Sequence, residues 1–179
     1  YTEPETAILL IEKCTQFLIS YCKAIKETGV AGVLLAEPAA GLLSNEDCYN
    51  YSSIFVKRII DAVQEDRFAV ILHNCGNTGH CTSAMIDTGV KGLHFGNRAN
   101  MVEALNMCPG DMLVMGNVDP VEVFKLASSE EVFKVTGALL EKTREFSNFV
   151  ISSGCDTPSD IPFRNIEAFY QAVDKFNRK

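Results

Sequence analysis

The stretch Phe68-Ala69-Val70-Ile71-Leu72-His73-Asn74-Cys75-Gly76 decides the fold of this chain. Its apolar run, Phe68 to Leu72, is continuous, short and partly β-branched, which predicts a buried strand. Side chains on an extended chain alternate between two faces, so His73 and Cys75 point the same way where the strand ends. An imidazole and a thiol on one face, beside a flexible glycine, are two ligands ready for a thiophilic metal such as zinc. A third ligand is sought at another strand end. The best candidate is Cys155, in Phe149-Val150-Ile151-Ser152-Ser153-Gly154-Cys155-Asp156, where a second short apolar run closes on glycine and cysteine.

Outward from this strand, helical and extended patterns alternate. Thr2-Glu3-Pro4-Glu5 has capping-box spacing with proline in the first turn. Ala7, Leu10, Ile11, Cys14, Phe17, Leu18, Tyr21, Cys22 and Ile25 follow at helical spacing up to Gly29, and Cys14 and Cys22 read as core packing. Val30 to Ala36 is a strand running into the loop Glu37-Pro38-Ala39-Ala40-Gly41. Ser44 to Asp47 caps a helix that buries Tyr51, Ile54, Phe55, Ile59, Ala62 and Val63. After the His73/Cys75 strand come a short helix around His80 to Asp87, a strand over Lys91 to Phe95 and a short helix over Asn100 to Met107. Met112 to Met115 is a fourth strand, followed by the loop Gly116-Asn117-Val118-Asp119-Pro120. A long helix capped by Ser128 or Ser129, a fifth strand over Phe149 to Ser152 and a last helix over Pro162 to Asn177 complete the chain.

Strict alternation of strand and helix predicts an α/β fold with a parallel sheet and helical crossovers. Five strands fit either an open doubly wound sheet or a little over half of an eight-stranded barrel. The 179 residues, 47% of them apolar, suffice for one core, so residues 1–179 are expected to form a single domain. The chain opens on Tyr1 rather than Met, with a helix start already under way, and is expected to be the C-terminal part of something longer.

Composition excludes several function classes. A net charge of −7 with no basic stripe argues against nucleic acid. No apolar run approaches the roughly 18 residues of a membrane span, and no signal peptide opens the chain. Seven cysteines without framework spacing predict thiols in a reducing compartment, hence a cytoplasmic location. Glycine-rich phosphate-binding motifs are absent.

In parallel α/β folds reactive residues gather at the C-terminal strand ends. Those ends carry Glu37, then His73 and Cys75, then His94 and Asn97, then Asn117 and Asp119, then Cys155 and Asp156. Taken one at a time, such residues are commonly packing or loop contacts; together they make a candidate site. A local rival, His73-x-Cys75 with His80-Cys81, offers four donors in nine residues, but its spacing is not one of the usual structural zinc patterns.

The segments His73-Asn74-Cys75-Gly76-Asn77, Gly116-Asn117-Val118-Asp119-Pro120 and Gly154-Cys155-Asp156-Thr157-Pro158, with Pro162-Phe163-Arg164-Asn165-Ile166 and the Glu37 loop, resemble the uroporphyrinogen decarboxylase superfamily. The closer likeness is to its zinc-dependent methylcobamide:coenzyme M methyltransferase branch. The resemblance runs from about Thr2 to the C-terminus. It implies a parallel (β/α) barrel of TIM type, of which this chain holds roughly the C-terminal five β/α units, with zinc on His73, Cys75 and Cys155. It implies further a small thiol substrate, a methylcorrinoid as methyl donor and a corrinoid protein as partner. Glu37 is a candidate fourth ligand, against ordinary loop hydrogen bonding, and Asn117 and Asp119 are candidates either for shaping the pocket or for fixing their loop before Pro120. Relatives usually end the third strand with an acidic residue, where this chain reads His94-Phe95-Gly96-Asn97. True decarboxylases carry Gly-His where this chain has Gly154-Cys155, and work without metal.

Two other readings stand beside the methyltransferase. A metal-free tetrapyrrole carboxy-lyase would need cations for substrate carboxylates, and the strand ends offer only Arg98 nearby. A non-enzymatic fragment is the third. A truncated barrel would leave strand edges and an apolar face open, so a homo-oligomer is expected.

Overall fold

The computed structural model describes residues 3–76 and 79–178. Thr2 of the expected capping box, and Asn77 and Thr78 after the His73/Cys75 strand, lie outside the described residues. Five strands form one sheet in the order β1-β2-β3-β4-β5, which is sequence order, and every strand is followed by a helix. Sequential order excludes the doubly wound alternative, whose strands are added on both sides of the first. Residue contacts divide the chain into two units, Tyr1–Leu93 and His94–Lys179, with the boundary inside β3.

In the first unit, α1 (Pro4–Glu27) leads to β1 (Gly32–Ala36), a 3-10 turn (Ala40–Leu42) and α2 (Asn45–Cys48). A π turn (Tyr49–Ser53) then joins α2 to α3 (Ile54–Val63), which is followed by β2 (Ala69–Asn74) and α4 (Thr82–Ile86). β1 and β2 are parallel, in register from Gly32↔Ala69 to Ala36↔His73. The ladder continues past β1 through Glu37 N–H, which donates to the His73 carbonyl at 2.9 Å. Val70, Leu72 and Asn74 are fully buried and His73 nearly so, in keeping with the buried strand expected from the apolar run.

Two expectations fail here. Of the expected buried side of the helix over residues 45–63, Phe55, Ile59 and Val63 are buried and Tyr51 is half-buried, but Ile54 and Ala62 are exposed, and Val56 and Ile60 are buried in their place. The buried stripe runs along the i, i+4 pairs Phe55/Ile59 and Val56/Ile60, which leaves Ile54 and Ala62 at its margins. On α1 only Thr15 and Cys22 are buried, and Cys14 is exposed. The apolar stripe of α1 is wider than its contact with α3, so Leu10 (64%), Phe17 (66%) and Tyr21 (55%) face outward.

The second unit carries the end of β3 (Gly92–Phe95), then α5 (Met101–Met107), β4 (Leu113–Val118), α6 (Ser129–Lys142), β5 (Phe149–Ser153) and α7 (Phe163–Asn177). Asn100 and Ser128 cap α5 and α6 through their side-chain oxygens. β4 runs three residues beyond the expected Met115. Gly and Asn are depleted in strands, but the ladder with β5 persists through Gly116↔Ile151, Asn117↔Ser152 and Val118↔Ser153. Val118, Phe124, Val132, Ala168 and Phe169 form its core, with the Phe124 and Phe169 rings 5.3 Å apart. Asn165, fully buried on α7, donates to the Phe124 and Ala127 carbonyls at 2.8 and 3.0 Å and accepts from Ser129 at 2.9 Å. The Asn165 motif that carried part of the resemblance thus ties α7 to the start of α6.

The exposed stripe on α1 generates a prediction. The 179-residue chain self-associates in dilute solution, because apolar patches of this kind seek cover. Leu10→Glu combined with Phe17→Glu shifts sedimentation velocity profiles toward the monomer. A monodisperse wild-type monomer would count against it.

Candidate metal centre

At the end of β2, period-2 alternation separates His73 and Cys75 from Asn74 between them. His73 is 7% exposed and Cys75 half-buried, whereas Asn74 is fully buried. Asn74 Nδ2 donates to Glu37 Oε1 at 3.2 Å, and Ser52 Oγ donates to Glu37 Oε2. Burial pushes the Glu37 carboxyl above the usual carboxylate range, and the Ser52 and Asn74 bonds offset only part of that.

At the end of β5, Gly154 N–H donates to the Val118 carbonyl at 2.8 Å. A side chain at Gly154 would meet the Asn97 backbone, its Cβ only 2.6 Å from Asn97 N, so the residue before Cys155 must be glycine for the two backbones to approach. Ser153 Oγ donates to the Cys155 carbonyl at 2.6 Å. One donor atom each of His73, Cys75 and Cys155 lies within 4.8 Å of the other two. Zinc ligands at about 2.0–2.3 Å from one ion stand roughly 3.3–3.8 Å apart in a tetrahedron. An imidazole and two sulfurs are a donor set that suits zinc.

The remaining strand-end residues have other partners. Glu37 is outside the His73/Cys75/Cys155 group, its two oxygens engaged by Ser52 and Asn74. Asn117 donates to the Gly96 and Ala99 carbonyls at 3.0 and 2.7 Å, fixing the loop after β3. Asp119 Oδ1 accepts from the Val121 and Glu122 amides, both at 2.8 Å, while Oδ2 accepts from Asn97. His94 is 8% exposed, with Nε2 2.8 Å from the Ser153 carbonyl. The local rival does not form among the described residues: His80 Nε2 lies 2.8 Å from the Leu43 carbonyl, and fully buried Cys81 contacts the Leu43 carbonyl at 3.5 Å.

Sequence reasoning missed Asn74 and Ser52. Asn74 was within reach: an amide flanked by two candidate ligands on an alternating strand must face away from them. Ser52, 15 residues from Glu37, left no signal in the sequence.

A parallel α/β chain with a His/Cys/Cys group at its strand ends is the class that fold and geometry define. The uroporphyrinogen decarboxylase (URO-D) family model matches residues 1–176, and the chain belongs to that family. It is 27% identical over 178 residues to a methylcobamide:CoM methyltransferase of Methanosarcina acetivorans, covering 98% of this chain and 51% of that protein. The Methanosarcina mazei counterpart matches with the same identity and coverage. A uroporphyrinogen decarboxylase of Hamiltonella defensa is 26% identical over 184 residues, covering 99% of this chain and 50% of that protein. The solved structure of a methyltransferase from Methanosarcina mazei shares the fold, with TM-score 0.80 and 22% identity over 91% of this chain and 47% of that one. The chain therefore spans about half the length of the curated relatives it matches, and its five β/α units are part of a TIM-type barrel fold. No described helix is long and apolar enough to cross a membrane.

The brace at Glu37 sets a pH dependence. A carboxyl whose folded pKa is raised contributes stability that is present below its ordinary pKa and lost as pH rises through the raised one. In the metal-free protein, stability to urea therefore declines as pH rises above the ordinary carboxylate range, and Glu37→Gln flattens that decline. Equal slopes for wild type and variant would refute the assignment. Asn74→Ala removes the donor to a buried carboxylate and costs about 1.5–3 kcal/mol in the same assay.

Proposed function

We propose that this chain carries the metal centre of a zinc-dependent methyltransferase of the uroporphyrinogen decarboxylase family, which activates a small thiol for methyl transfer from a methylated corrinoid. The observation that carries the reading is the approach of His73, Cys75 and Cys155 donors to within 4.8 Å. Those three residues would hold the zinc. Bound there, zinc would keep an incoming thiol deprotonated at neutral pH, where a free thiol with pKa near 8.5 is mostly protonated.

The protein's own residues supply the frame. Two thiolates and a neutral imidazole balance the charge of a divalent cation, so an entering thiolate meets no excess anionic charge. Glu37 supports Asn74 and is a candidate for a fourth donor should its hydrogen bonds open. Asn117 and Asp119 frame the site by holding the loops after β3 and β4. The names of the Methanosarcina relatives support a corrinoid protein as methyl carrier and a small thiol as acceptor.

A second reading, a metal-free carboxy-lyase acting on a tetrapyrrole, is favoured by the uroporphyrinogen decarboxylases that match at 26% identity and below. The two readings part at the metal. The full-length protein purified without chelator is expected to hold one zinc per chain by elemental analysis. Cys155→Ser reduces that content and abolishes thiol methylation, whereas Cys81→Ser leaves both near wild type. A full-length protein that holds no zinc and decarboxylates a porphyrinogen would overturn the proposal.

A further inference from the structure

The peptide unit between Ser153 and Gly154 is held at both of its polar atoms. Its N–H donates to the Val118 carbonyl at 2.8 Å, and its carbonyl oxygen lies 2.8 Å from His94 Nε2. A carbonyl only accepts, so the proton of this bond is on Nε2. The same Nε2 is 3.0 Å from Ser152 Oγ, and the ring is 8% exposed. His94 thus reaches from the end of β3 to the end of β5. One residue beyond the fixed peptide stands Cys155, whose carbonyl accepts from Ser153 Oγ at 2.6 Å. Gly154 is pressed against the Asn97 backbone on the other side. With the Ser153–Gly154 peptide and the Cys155 backbone both tied down, little remains to Cys155 but rotation of its own side chain.

We propose that His94 is a positioning residue for Cys155: by holding the Ser153 carbonyl it sets the direction in which the Cys155 sulfur leaves the strand end, and with it the metal affinity of the site. The inference rests on the metal reading above, and nothing else in that reading requires a histidine on β3. Partners that orient ligands typically change metal affinity 10- to 100-fold when removed. The geometry also separates positioning from folding. Ser152 Oγ lies 3.0 Å from the same Ser153 carbonyl, so loss of the imidazole leaves that oxygen a donor and the strand end intact.

The test compares wild-type full-length protein with His94→Ala and His94→Gln. The glutamine amide can place a donor where Nε2 stands. Zinc affinity is read by competition with a chromogenic chelator, and thiolate ligation by the charge-transfer band of the cobalt(II) protein. His94→Ala is expected to weaken zinc about 10- to 100-fold and to lower the cobalt–thiolate band while melting cooperatively. His94→Gln is expected to recover most of the affinity. Wild-type affinity in a folded His94→Ala protein, or equal losses in both variants, overturns the proposal. If wild type itself takes no zinc, the metal reading has failed, and the positioning claim is then decided in metal-free protein. There, iodoacetamide labelling of Cys155, followed by mass spectrometry, should rise several-fold in His94→Ala, with exposed Cys14 as the unchanged internal control. Identical Cys155 rates would overturn it.

Discussion

Alternation along an extended strand is the constraint on which this site depends. At the end of β2 it sends His73 and Cys75 to one side and Asn74 to the other. The parallel pairing of Ala36 with His73, extended by the Glu37 amide to the His73 carbonyl, places Glu37 beside this end of the strand. Asn74 and Glu37 then meet and lock. A slip of one residue in the β1–β2 register would exchange the faces. Asn74 would be sent where the ligands belong, and a histidine and a cysteine would be turned toward the carboxylate. Val70 and Leu72, fully excluded from solvent, share the face of Asn74.

The end of β5 solves the same problem by another device. Cys155 follows a glycine, and no side-chain alternation fixes it. Close backbone approach does: Gly154 lies against Asn97, donates to Val118, and leaves its preceding carbonyl to His94. Asn97 is itself held by Asp119, and the loop that carries Asn97 is held by Asn117. The polar residues of β3, β4 and β5 therefore form one chain of hydrogen bonds whose last member is the segment carrying Cys155. This is why so many strand-end side chains are engaged with backbone groups rather than turned toward open space.

What the sequence made legible follows from the range of each interaction. Strand periodicity, the alternation of strands with helices and the facing of His73 and Cys75 are local, and they were read correctly from local pattern. On the helix over residues 54–63, Phe55, Ile59 and Val63 follow the expected face, while Ile54 and Ala62 lie outside it because every apolar residue within reach of the stripe reads alike in sequence. The outward stripe on α1 was misread because periodicity reports an apolar face, not whether a neighbour is wide enough to cover it. Ser52 on Glu37 and His94 on Ser153 are pairings between segments distant along the chain, and no spacing rule reaches them. Cys155 was found only because glycine and cysteine closed a second apolar run in the manner of the first.

Burial separates the seven thiols by how readily each could hold a metal. A cysteine must lose its proton to hold a metal, and desolvation opposes that loss. Burial pushes the Cys48 thiol up to about 12 and that of Cys108 to about 11, and raises Cys22 and Cys81 as well. Cys81 shows how sharply this acts. It stands six positions after Cys75, close enough in sequence to compete for the same ion, yet it is fully buried against Cys48 and the Leu43 carbonyl. Cys14, at the other extreme, is exposed on a helix with no second donor grouped with it. Among the described residues only Cys75 and Cys155 combine partial access with a grouped histidine, so the candidate metal centre follows from where the fold leaves a sulfur half-covered at a strand end rather than from how many sulfurs the chain contains.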